Sequence, residues 1–77
     1  MKRQEIETKM ERIFGIADIT IYDLEFGYDC LVIKLLNRNY VWLDVLNNIA
    51  DVFRDNYLVV KCVDEHLEIC VDVGVVE

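Results

Sequence analysis

At 77 residues, with 15 acidic against 8 basic side chains and a net charge of −7, the chain has room for one domain and one core. A balance this acidic repels nucleic-acid phosphates and anionic membranes, and no stretch approaches the ~18 consecutive apolar residues of a membrane span. The partner class left open is protein, a basic surface in particular.

The charge is unevenly spread. Residues 1–14 hold four bases and three acids, so residues 15–77 carry twelve acids against four bases, a balance of −8. Cys30, Cys62 and Cys70 are odd in number and follow no secretory signal, which predicts reduced thiols and a cytoplasmic location. Hydrophobic residues make up 55% of the chain, a high share for so small an interior. Surplus apolar surface is therefore expected, with a twofold homodimer as its simplest cover.

Residues 2–14 show a short amphipathic helix, with Ile6, Met10, Ile13 and Phe14 on one face and a Glu5–Lys9 pair on another. Gly15 is its expected stop, and a mobile arm is the alternative to docking. From Ile16 the period changes to two. Ala17, Ile19 and Ile21 alternate along a first strand, and Leu31, Ile33 and Leu35 along a second. A three-residue loop Glu25-Phe26-Gly27, with Gly27 left-handed, would set Ile21 opposite Leu31, Asp18 opposite Lys34, and Asp23 against Asp29. The acid pair is the weak point of that register.

The stretch from Val41 to Asp55 sorts at helical spacing. Asp44, Asn47, Asn48, Asp51, Arg54 and Asp55 fall on one arc, and Trp42, Leu46, Ile49 and Phe53 run down the other side. Asn39 is its expected N-cap, and the alternative starts the helix at Asp44 after a strand through Leu43. A second hairpin closes the chain. Matching faces pairs Val60 with Val71 and Cys62 with Ile69, and places the connection at Asp64–Leu67 or at Glu65-His66.

The C-x3-H-x3-C spacing of Cys62, His66 and Cys70 invites a metal site. The paired register sends the two cysteines to opposite faces of the hairpin, so no zinc site or disulfide is expected, and Cys62 reads as a small core residue. His66 sits at a hairpin tip without the third group that would poise a Cys–His nucleophile. The three glycines stand alone at 15, 27 and 74, so no phosphate-cradling loop occurs. No catalytic, cofactor or metal residue is assigned, and no enzyme is expected.

Together these patterns predict an α+β fold in the order α-β-β-α-β-β: a four-stranded, mostly antiparallel sheet with the 40–55 helix packed on one face. The expected core is Trp42, Leu46, Ile49, Phe53, Ile19, Ile21, Leu31, Ile33, Val60, Ile69 and Val71, with Leu31–Leu36 as an interior strand. The expected function is that of a small acidic protein-binding module or inhibitor, of the kind carried by phages and mobile elements. A self-assembling structural subunit is the alternative, and a small enzyme a distant third. The contacts would be the acids at the hairpin tips, Asp23, Glu25, Asp29, Asp64, Glu65 and Glu68, with Asp44, Asp51 and Asp55 as a second patch on the helix.

Overall fold

The structure, a computed structural model, describes residues 1–54, 58–74 and 76–77. Two helices and four strands follow in the predicted order: α1 (Arg3–Ile16), β1 (Tyr22–Phe26), β2 (Cys30–Leu35), α2 (Leu43–Phe53), β3 (Val59–Val63) and β4 (His66–Asp72). The strands form one antiparallel sheet in the order β1-β2-β4-β3, which puts β2 in the interior as its apolar run predicts. Among the described residues no helix is long and apolar enough to cross a membrane.

The first helix is docked. Ile6, Met10 and Phe14, spaced i, i+4, i+8, are fully buried, so the apolar stripe packs on the body of the domain. Arg3 lies over the Phe26 ring at 4.5 Å, and the Phe14 and Tyr22 rings sit 4.6 Å apart, so α1 runs along β1. Its surface ion pair joins Arg3 to Glu7 at 3.4 Å, where the spacing pointed to Glu5 and Lys9. Gly15 does not stop the helix. Ala17 is the C-cap, and Asp18 takes the left-handed conformation at φ 58°. Ile19 N–H then donates to the Phe14 carbonyl at 2.8 Å, and Asp18 N–H to that of Gly15 at 3.2 Å. These two bonds define a Schellman closure, and Ile19 is buried beyond it, as the hydrophobic contact of that motif requires.

That closure uses up the residues expected to begin β1, so the strand starts at Tyr22 and its register differs from the predicted one. Tyr22 pairs with Leu35, Leu24 with Ile33, and Phe26 with Leu31. The parity flips with the shift. Tyr22, Leu24 and Phe26 face the core, while Ile21 is half exposed. Asp23 now opposes Lys34 and not Asp29, which removes the like-charge pair. Gly27 is not left-handed. A Cβ there would lie 3.2 Å from the Cys30 sulfur, so close approach is what its lack of a side chain permits.

The second helix is shorter than predicted at its start. Trp42 is its N-cap, in extended conformation at φ −70° and ψ 143°, with no side-chain capping bond; neither Asn39 nor Asp44 fills that role. Val45 and Ile49 are buried, Leu46, Val52 and Phe53 pack at the margin, and Trp42 stands 67% exposed outside the core. The final hairpin turns at Asp64-Glu65, with Asp64 at φ 56° and Val63 paired to His66. Val60 therefore opposes Ile69, and Cys62 opposes Leu67. The faces are as predicted, displaced by two residues.

All helical cover lies on one side of the sheet. Leu31, Ile33 and Leu35 of β2 and Leu67, Ile69 and Val71 of β4 share one buried cluster with α1 and α2. That cover stops short of β3, whose Val60 and Cys62 remain exposed although they face the helical side. Both expected core roles on this strand are thus overturned by its position at the edge. Ile49→Ala should cost about 2–5 kcal/mol and Val60→Ala less than about 1 kcal/mol. Denaturant midpoints for the pair check this, and equal losses would place β3 under the helices.

Candidate functional site

The end of the molecule where β2 passes into α2 gathers the exposed groups best suited to recognition. Leu36 N–H donates to the Ile21 carbonyl at 3.2 Å, and Asn37, left-handed at φ 59°, turns the chain off the sheet. Asparagine tolerates this conformation through its short polar side chain. The Arg38 guanidinium lies 5.2 Å over the Tyr40 ring. Tyr40, Trp42 and Leu43 follow, 58%, 67% and 69% exposed. Asp44 occupies the first helical turn, where the helix dipole favours its charge.

The β3–β4 turn comes up beside this connection. Asn37, Arg38, Asn39, Asp64 and Glu65 line one shallow depression, and Leu36, Asn37, Asp64, Glu65 and His66 line another next to it. His66 Nε2 lies 3.0 Å from Glu68 Oε2, and both side chains are largely covered. Asn37 and Asp64, both left-handed, line the depression from the two chain segments that form it. The surface is open and mixed: aromatic faces, an arginine, and carboxylates.

The nine acids singled out in the sequence do not form one site. Antiparallel pairing of Leu31 with Val71 and Leu35 with Leu67 puts Asp29 at one end of the sheet and Asp64 and Glu65 at the other, about 25 Å apart along the strands. Asp44 joins the Asp64 end, while Asp51 lies near the far end of α2. Asp55 lies outside the described residues. Asp23, Glu25 and Glu68 project from the uncovered face of the sheet, where they are matched by lysines. Asp23 opposes Lys34, Lys34 opposes Glu68, and Glu68 opposes Lys61. Lys34 Nζ donates to Glu25 Oε2 at 2.7 Å. That bond and the Glu25 charge hold the ammonium above its ordinary pKa, against a small opposing effect of burial. Asp44, Asp64 and Glu65 make no ion pair among the described residues, so their charge is what a partner would meet.

Tyr40, Trp42 and Leu43 are the residues that sequence reasoning missed. Trp42 and Leu43 fit the apolar pattern of the predicted helix, but the helix begins only at Leu43, and these two stand exposed together with Tyr40 at its start. Cys62 and Cys70 do project to opposite faces, opposing Leu67 and Val59 respectively, and no group of three metal-ligating side chains converges among the described residues. Another depression, along the outer side of α1, is lined by Lys2, Gln4, Glu5, Thr8, Lys9 and Arg12, a solvated helix surface. Compared with known proteins, the chain matches no family model, no curated protein and no solved structure.

Proposed function

We propose that this chain is a small acidic protein-interaction module, acting as an inhibitor of a basic or nucleic-acid-binding protein through the end that carries Tyr40, Trp42, Leu43, Asp44, Asp64 and Glu65. The observation that carries this reading is the exposure of Tyr40, Trp42 and Leu43, three large side chains within four positions that the monomer's own core does not use. Aromatic side chains and arginine dominate binding energy at protein interfaces because they bury much area at little entropic cost. The unpaired carboxylates around them attract a basic surface during encounter and reject acidic ones, while the apolar contacts govern residence time. Such a module needs no cofactor, metal or catalytic residue, and it opposes a nucleic-acid-binding groove without touching nucleic acid itself.

The test is capture from the lysate of the organism that encodes the chain, at low and at high salt, with the parent and with Asp64→Lys/Glu65→Lys. Capture of a basic protein should fall about tenfold or more under either treatment, with the variant still folded. Capture that is indifferent to salt and to charge reversal would remove the carboxylates from the interface. The second reading, a self-assembling subunit, is supported by a different observation, the uncovered edge strand.

A further inference from the structure

We propose that β3 pairs with β3 of a second copy about a twofold axis at Val60, joining two four-stranded sheets into one of eight strands. The sheet has two edges, and they differ in kind. β1 is covered by α1 on its apolar face and carries Asp23 and Glu25 on the other, so self-pairing would set acid against acid. β3 has no acid and no proline between Val59 and Val63, and both of its faces are open, with Val59 and Val60 56% and 40% exposed. Lys61 is its one guard, which leaves it the less protected of the two edges and open to another strand.

The hairpin fixes which backbone groups point outward. A two-residue turn closes on a hydrogen-bonded pair, so Val63 and His66 exchange bonds, as do Lys61 with Glu68 and Val59 with Cys70. The N–H and C=O groups of Val60 and Cys62 are then directed to the free side. Antiparallel pairing with the helices of both copies on one side requires residues of like parity to face each other. Three registers satisfy this near the strand centre. One sets Lys61 against Lys61, and another sets Val60 against the turn residue Asp64. The third sets Val60 against Val60, Leu58 against Cys62, and Val59 against Lys61. Only the third joins apolar to apolar on the helical side with no like charges in opposition.

Charge selects a second copy as the occupant. Two chains of −7 repel each other over most of their surfaces, and this edge, whose sole charge is Lys61, is where they approach without acid facing acid. Lys61 likewise disfavours a basic foreign strand. The area is small: one five-residue strand buries less than the roughly 800 Å² per partner of a standard interface. The dimer is therefore weak and concentration-dependent, and it is separate from the Tyr40–Leu43 surface.

Sedimentation from about 1 to 200 μM should show the 9.1 kDa species giving way to one of twice that mass. Val60→Lys, at a position already exposed, should keep the far-UV circular dichroism of the parent and remain monomeric throughout. In a Cys62→Ser background, Val60→Cys should form a covalent dimer on mild oxidation, because a hydrogen-bonded antiparallel pair holds its Cα atoms about 5.5 Å apart, within disulfide reach. Cys62→Ser alone should not. A monomer at every concentration overturns the proposal, and so does a dimer that survives Val60→Lys or fails to cross-link through residue 60. Each of these results leaves the Tyr40–Leu43 reading standing, since capture of a basic partner is measured independently.

Discussion

Phe14→Ala is expected to lower stability by about 3–5 kcal/mol, the largest loss among single truncations in this fold. Domains of this size hold only about 4–12 kcal/mol in total, so the variant would sit at the edge of folding. The magnitude follows from where Phe14 lies. It is fully buried, its ring meets that of Tyr22 at 4.6 Å, and its carbonyl accepts the bond from Ile19 that ends α1. Removing the ring empties a space bordered by α1, β1 and the buried Ile19, three segments that cannot all collapse into it. A urea titration of parent and variant with a shared slope gives the difference directly. A loss below about 1 kcal/mol would detach α1 from the core. The adjoining Tyr22 phenol, raised above its ordinary pKa by burial and then by Glu11 and Glu7, should return toward the normal range in the same variant.

The number, type and order of the elements were legible because each carries its own period. Ile6, Met10 and Phe14 repeat at four, Leu31, Ile33 and Leu35 at two, and the structure buries both sets as patterned. The register of β1 was not legible. From Ala17 to Phe26 two alternations overlap, Ala17-Ile19-Ile21 and Tyr22-Leu24-Phe26, with opposite parity. What decides between them is the helix closure at Asp18, a left-handed residue that sequence rules assign first to glycine, here with Gly15 as a nearby decoy. The unfavourable Asp23–Asp29 pairing was the available sign that the first alternation fails.

The proposed surface was legible only in part. Asp44, Asp64 and Glu65, expected as partner contacts, lie at one end of the molecule, but periodicity could not separate them from Asp29 at the other end. Nor could it separate them from Asp23, Glu25 and Glu68, which cross-strand lysines compensate. Charge compensation is a property of strand order, and strand order is set by contacts distant in sequence. The bare β3 edge has the same origin. Val60 and Cys62 alternate like any buried strand, and only the insertion of β4 between β2 and β3 carries them beyond the reach of the helices.

Trp42→Ser is expected to separate folding from binding. In the folded chain Trp42 caps α2 with its backbone alone: its carbonyl accepts from Val45 N–H at 3.0 Å, and its side chain caps nothing. Serine there supplies an oxygen for the orphaned N–H groups of the first turn, worth about 0.5–2 kcal/mol. Against this stands the third of the indole surface that is covered, about 2 kcal/mol at 25 cal/mol per Å². The two effects nearly cancel, so the denaturation midpoint should move by no more than about 1 kcal/mol. A tryptophan in the core would cost about 3–5 kcal/mol even as alanine, and more as a buried hydroxyl. Partner capture should respond in the opposite proportion. An exposed tryptophan at the centre of an interface contributes about 2–4 kcal/mol, so affinity should fall at least 30-fold while the fold is intact. Midpoint and affinity measured on the same preparation decide the matter. A variant that unfolds returns Trp42 to the core of the helix, and one that folds and binds like the parent moves the interface away from residues 40–44.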